Sequence, residues 1–238
     1  MAKLETERVP TAEELDALFR AGTMKRLGIG VRRACYAIPG TDLCVKCYRS
    51  EDEIALGKHV GYEPFKPLRS SVISEIRRNR FSDRKNTSCQ EWRYFRSTIK
   101  RAPQDLAEAF PETIERLLVP VRGWCLVESI VRNFDGTPPR RFHEVCASII
   151  NDRSLRQNLL SALKSLRDRL VESCIRFYDP QNILVQWTSA ESFRLRIVDF
   201  EPESRVAIPI DELLPPIARM KIRRRFARYM KMFAPVFS

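Results

Sequence analysis

Two neighbouring runs, Ile183-Leu-Val-Gln-Trp187 and Phe193-Arg-Leu-Arg-Ile-Val198, decide the reading of this chain, together with Asp179-Pro-Gln-Asn182 before the first and Asp199 after the second. The second run alternates Phe193, Leu195 and Ile197 with Arg194 and Arg196, the period of a strand with one apolar face. Thr188-Ser-Ala-Glu191 supplies a turn between the two. Antiparallel pairing lays the start of the first strand beside the end of the second, so Asn182 and Asp199 converge. Two hard oxygen donors suit Mg²⁺, which takes one or two protein oxygens and fills its other positions with phosphate and water. Read alone, the same residues also serve as turn caps and a strand terminus, because Asp and Asn are common in turns.

Upstream of this hairpin, Leu155, Leu159, Leu163, Leu166 and Leu170 recur at steps of three and four, which predicts a long helix from about Asp152 to Cys174. Near the N-terminus, Thr11-Ala-Glu-Glu14 has capping-box spacing and opens a short helix that Gly22 would close. Cys35 to Ile38 and Leu43 to Tyr48 then read as strands joined by Pro39-Gly-Thr-Asp42, with Gly28-Ile-Gly30 as a glycine-bearing loop in front. Lys46 falls inside the second of these apolar runs, where an ammonium is costly without a charge partner. Glu91, on a helix expected over Thr87 to Lys100, is the candidate partner; a snorkelling or edge lysine is the alternative. Ser50 to Asn86 is charged and broken by proline, has a short helix around Val72 to Arg80, and reads as an insertion. A weaker helix is expected near Gln104 to Leu118, then a strand or two over Val119 to Val131, interrupted at Arg122-Gly123.

The order glycine loop, strand lysine, helix glutamate, Pro-x-Asn-Ile-Leu loop and Asp-Phe turn is that of protein-kinase-like folds. Gly30-Val-Arg-Arg-Ala-Cys-Tyr36, Cys44-Val-Lys46, Asn133-Phe-Asp-Gly136 and Asp179-Pro-Gln-Asn-Ile-Leu184 together resemble the YrbL-type, PhoP-regulatory-network family of bacterial proteins, from about residue 27 to 204. The resemblance implies an α+β, protein-kinase-like bilobal fold: an antiparallel N-lobe sheet with one main helix, and a reduced helical C-lobe. Taken with the N-terminal helix and the basic C-terminal segment read from the residues themselves, it places an N-terminal helical extension at 1–23, the N-lobe at 24–131 with its insertion at about 50–86, and the C-lobe at 132–238 with a basic last helix from about 215. It further implies ATP and Mg²⁺ as cofactors. Gly28 and Gly30 would approach the phosphates, Lys46 would hold the α and β phosphates, and Glu91 would orient Lys46. Asn182 would hold a second metal, and Asp199 the Mg²⁺ bridging the phosphates. Two positions depart from the kinase pattern. Phe177 stands where the catalytic aspartate belongs, and Glu201 replaces the third residue of Asp-Phe-Gly. Asp179 is the carboxylate near enough to substitute. The function implied is phosphoryl transfer to a protein, sugar or lipid-linked hydroxyl. The alternatives are a nucleotide-binding pseudokinase with a regulatory or scaffolding role, and a basic protein that binds anionic surfaces.

At 238 residues, with 44% hydrophobic and 30% charged residues, the chain is long enough to bury a core without disulfide or metal staples. Seven scattered cysteines and the lack of a charged-then-apolar leader fit a reducing cytoplasm, and no apolar run approaches the roughly 20 residues of a membrane span. Cys44-x-x-Cys47 has no second pair, and strand alternation sends its thiols to opposite faces, so core packing is expected rather than zinc. The net charge of +12 predicts an anionic partner. Seven basic residues and no acidic one follow Pro215, so the excess is concentrated in a tail. Basic residues alternate there with Ile217, Met220, Ile222, Phe226, Tyr229, Met230 and Phe233, which suits a core-packed last helix or attachment of 215–233 to an anionic membrane surface. No nucleic-acid motif accompanies them, which makes nucleic acid the least expected partner.

Overall fold

The computed structural model describes residues 8–55, 58–60, 63–66, 68–149, 152–177, 179–200 and 214–233. Glu201, considered above, lies outside what is described. Contacts divide the chain into two compact units, Met1–Arg93 with Glu112–Ile130 and Tyr94–Pro111 with Val131–Ser238. The architecture is α+β, with an antiparallel sheet in the N-terminal unit.

The first unit begins with α1 (Ala12–Ala21), whose Thr11 and Glu14 form the expected capping box and whose Gly22 closes it at φ 65°. Strands β1 (Arg26–Ile29), β2 (Arg33–Ala37) and β3 (Leu43–Tyr48) follow. Then come α2 (Glu51–Ala55), a small ribbon of β4 (Lys58–Val60) and β5 (Glu63–Lys66), α3 (Ser70–Asn79) and α4 (Thr87–Ser97). Strands β6 (Thr113–Val119) and β7 (Gly123–Ser129) complete an antiparallel sheet ordered β1-β2-β3-β7-β6. All six residues of β3 are buried, because both faces of this central strand are covered. Leu43, Val45 and Cys47 pack with Leu15 of α1, Ala34, Tyr36, Cys125 and Val127. Alternation therefore turns Cys44, Lys46 and Tyr48 to the opposite face.

In the second unit, α5 (Gln104–Ala107) is followed by β8 (Arg140–Arg141), α6 (Phe142–Ser148) and α7 (Arg153–Glu172). A 3₁₀ turn over Pro180–Asn182 leads into β9 (Ile183–Trp187) and β10 (Phe193–Ile197), and α8 (Pro215–Met232) ends the described chain. Leu159, Leu163, Leu166 and Leu170 of α7 share one core with Phe142, Phe177, Ile183, Ile197, Ile222 and Phe226. Asp152 caps α7 by accepting from the Leu155 amide at 2.9 Å.

Two expectations are corrected. The helix expected to reach Leu118 stops at Ala107, and Thr113–Val119 is a strand. Pro111 lacks the amide a helix would need, and the seven residues after Glu112 find their hydrogen-bond partners on β7 instead. Gly28 lies within β1, not in a loop; only Gly30 opens the turn, its amide donating to the Arg33 carbonyl at 2.7 Å. Gly123 is the glycine the fold requires, since it sits at φ 76° and any side chain would collide with the Arg80 carbonyl.

Candidate functional site

In the first unit the candidate residues form a buried charge cluster on the sheet face opposite α1. Register places Cys35 of β2 and Leu126 of β7 on either side of Lys46. The Lys46 ammonium lies 3.4 Å from Glu91 Oε1 on α4, the partner expected from the sequence. It lies closer, 2.7 Å, to Glu128 Oε2 on β7. Arg33 Nη1 meets the other Glu91 oxygen at 2.5 Å, and the Thr113 hydroxyl donates to Glu128 at 3.2 Å. Two cations and two carboxylates thus balance in a setting where none of the four residues is more than 8% exposed. Burial pushes the Glu128 carboxyl above its ordinary value, while Lys46 opposes the shift. Chemically, the cluster fixes an ammonium at the end of a strand residue that would otherwise be free to swing.

Gly28 and Gly30 leave open space where a Cβ would stand, apart from the Arg33 carbonyl 3.5 Å from Gly30. Their backbone is exposed, so an anion could approach it. Cys44 and Cys47 lie on opposite faces of β3, both buried, and the described residues contain no group of three His, Cys, Asp or Glu that would hold a metal.

The second unit brings Asp179, Asn182 and Asp199 together as the hairpin reading requires. Ile183 pairs with Ile197, the Val198 amide donates to the Asn182 carbonyl at 2.9 Å, and Asn182 Nδ2 donates to the Asp199 carbonyl at 3.1 Å. Asp199 adopts φ 52°, a left-handed conformation that aspartate tolerates and that is enriched at functional sites. Asp179 also caps the 3₁₀ turn, accepting from the Gln181 amide at 3.3 Å and facing Asn182 Nδ2 at 3.4 Å. The loss of surrounding water and the charge of Asp199 raise the Asp179 carboxyl above its ordinary value, although its residue surface is exposed; Arg225 and Arg141 act against the shift. With its nitrogen engaged, Asn182 has its carbonyl oxygen for a cation, and Asp199 is the residue whose backbone carbonyl holds that nitrogen. One amide and one or two carboxylates make a hard, incomplete donor set, the kind that fits Mg²⁺ carrying phosphate and water.

Phe177 points inward. It is 2% exposed, and its ring meets Phe226 of α8 at 6.2 Å between centroids. Its side chain is a core anchor with no polar atom to offer a reaction. Arg33 and Glu128 were missed by sequence reading. The signal for Glu128 was the one used for Lys46, a charge set in an apolar strand, here Trp124-Cys-Leu-Val-Glu128.

The fold and these two groups define an α+β protein whose N-terminal antiparallel sheet carries a buried lysine between carboxylates, and whose helical second unit carries an Asn/Asp hairpin. The model of the family described as PhoP regulatory network protein YrbL matches residues 23–234, and the chain belongs to that family. No curated protein and no solved structure matches the chain.

Proposed function

We propose that the chain is an ATP-dependent phosphotransferase of protein-kinase-like, bilobal fold that acts on a hydroxyl acceptor. The observation that carries the reading is Lys46, on the third strand after a glycine-bearing turn, paired with Glu91 on α4. That is the lysine–glutamate pair with which kinases hold the α and β phosphates. Asn182 and Asp199 would hold Mg²⁺, which when bound neutralises phosphate charge and aligns the terminal phosphoryl group. Asp179, with its raised carboxyl, is the group suited to take the acceptor's hydroxyl proton, because a higher pKa makes a better base.

Burial of Phe177 against Phe226 favours a second reading, a nucleotide-binding pseudokinase, since the usual catalytic position is given to packing. Attachment of 215–233 to an anionic surface is a third. The apolar side of α8 packs in the core, so such attachment would rest on charge rather than insertion. No helix among the described residues is long and apolar enough to cross a membrane.

Mg²⁺-dependent ATP binding and slow ATP consumption, measured in the native chain, Lys46→Ala, Asp199→Asn and Asp179→Asn, separate the first two. The phosphotransferase reading expects binding to fall at least tenfold in Lys46→Ala and Asp199→Asn, and turnover alone to fall in Asp179→Asn. Unchanged binding in both of the first two variants, confirmed as folded by thermal melting, sinks it. Binding without turnover in every form selects the pseudokinase.

A further inference from the structure

Two arginines that sequence reading treated as unremarkable are delivered to the Asp179 turn by packing. Arg141 pairs in register with Leu184, two residues beyond Asn182. The next residue, Phe142, is fully buried against Tyr229 and Phe233, which fixes the backbone at Arg141. Arg225 precedes Phe226, the ring that meets Phe177 edge to face, and α8 packs directly against the Pro180–Asn182 turn. Both side chains are exposed on the elements that border the turn, and the charges of both oppose the rise of the Asp179 carboxyl. Among the described residues neither forms an ion pair; the Arg141 backbone amide, but not its guanidinium, bonds Glu144 at 3.0 Å. Strand pairing and helix packing thus bring two arginines to the borders of one turn, with no ion pair to engage them among the described residues.

A site that binds Mg²⁺ and a nucleotide through carboxylates repels a further anion unless cations are placed for it. We infer that Arg141 and Arg225 form a seat for a phosphate group carried by the acceptor, so that the acceptor is a phosphomonoester-bearing alcohol. This rests on the phosphotransferase reading. Guanidinium forks match phosphate oxygens with paired hydrogen bonds, and two forks suit a dianion. In the reaction the acceptor hydroxyl oxygen bonds to the terminal phosphorus of ATP as the bridging P–O bond breaks. ADP leaves with that electron pair, and the hydroxyl proton passes to Asp179.

The test is titration of the full chain with glycerol 3-phosphate, and with glycerol as the uncharged control, with and without Mg²⁺ and a non-hydrolysable ATP analogue. Glycerol 3-phosphate is expected to bind and glycerol not. Arg141→Gln and Arg225→Gln should each weaken binding at least tenfold, whereas Arg224→Gln, one position further round α8, should change it less than twofold. Arg141→Lys and Arg225→Lys keep charge but lose the fork, and should fall between. Equal losses at Arg224 and Arg225, or no preference for the phosphate, overturn the seat. Phosphatidate vesicles as the ligand tell a lipid-borne phosphate from a soluble one: binding with the same Arg141 and Arg225 dependence assigns the lipid form, and vesicle binding that ignores both residues assigns the soluble form if glycerol 3-phosphate still requires them. Failure of the ATP analogue to bind the native chain overturns the phosphotransferase reading alone, because the nucleotide-free titration still reports on the arginines.

Discussion

Glu128 is nearer to the Lys46 ammonium than Glu91 is, which makes the lysine the shared cation of two carboxylates. Replacing Lys46 with Met strands Glu128, while Glu91 keeps Arg33, and removing one partner of a buried ion pair typically costs about 3 to 5 kcal/mol. The double variant Lys46→Met/Glu128→Gln should recover part of that loss, and a denaturant-unfolding cycle measures the coupling. The pH dependence has a definite sign. Burial raises the folded pKa of Glu128 above the ordinary glutamate value of 4.5, so the folded state binds its proton more tightly than the unfolded state. Its contribution to stability is present below 4.5 and is lost as pH rises through the folded value. Glu128→Gln should therefore flatten the decline in melting temperature between 4.5 and the folded value. Lys46 and Glu91 could be read from the sequence because each carries a local signal, a charge in an apolar strand and a charge on a helix. Glu128 carries the first signal too, but its partner lies on a strand that becomes a neighbour only when the sheet is assembled.

Elements hold those residues in place. The first turns of α4, which present Glu91, are pinned by Arg116 of β6. Its guanidinium lies between the rings of Trp92 and Trp124, at 4.7 and 5.0 Å from their centroids, and pairs with Asp83. Asp83 in turn pairs with Arg93 at 2.5 Å. Each cation–π contact is worth about 0.5 to 1 kcal/mol at an exposed site, so Arg116→Ala should cost about 1 to 2 kcal/mol. The loss should appear as faster amide exchange over residues 87–93, with exchange in β3 little changed. Helices with a long apolar period, α7 above all, and the β9–β10 hairpin could be read from sequence because their patterns are local. The strand β6 could not: Ile114, Leu117 and Leu118 fit a helix as well as a strand, and pairing with β7 decides between them. The hairpin reading that put Asn182 beside Asp199 held for a geometric reason, since strand ends meet whatever the side chains are.

At the scale of the whole chain, the net charge of +12 owes seven cations to α8, which carries no acidic residue. Ile222, Phe226 and Tyr229 point into the core, while Arg223, Arg224 and Arg228 are exposed. Replacing Arg223, Arg224 and Arg228 with Gln should lower the salt concentration that elutes the chain from heparin, with thermal stability nearly unchanged, because surface ion effects are small. Phe177→Ala, by contrast, should cost about 3 to 5 kcal/mol by emptying a filled position. The ring contacts of Phe226 with Phe177 and of Tyr229 and Phe233 with Phe142 bear on how the tail is to be probed. Truncating at Pro215 would not be a subtraction of charge. It would strip the roof from two aromatic anchors and leave a wet apolar trough, so a shortened chain that no longer binds a polyanion would be reporting a damaged interior.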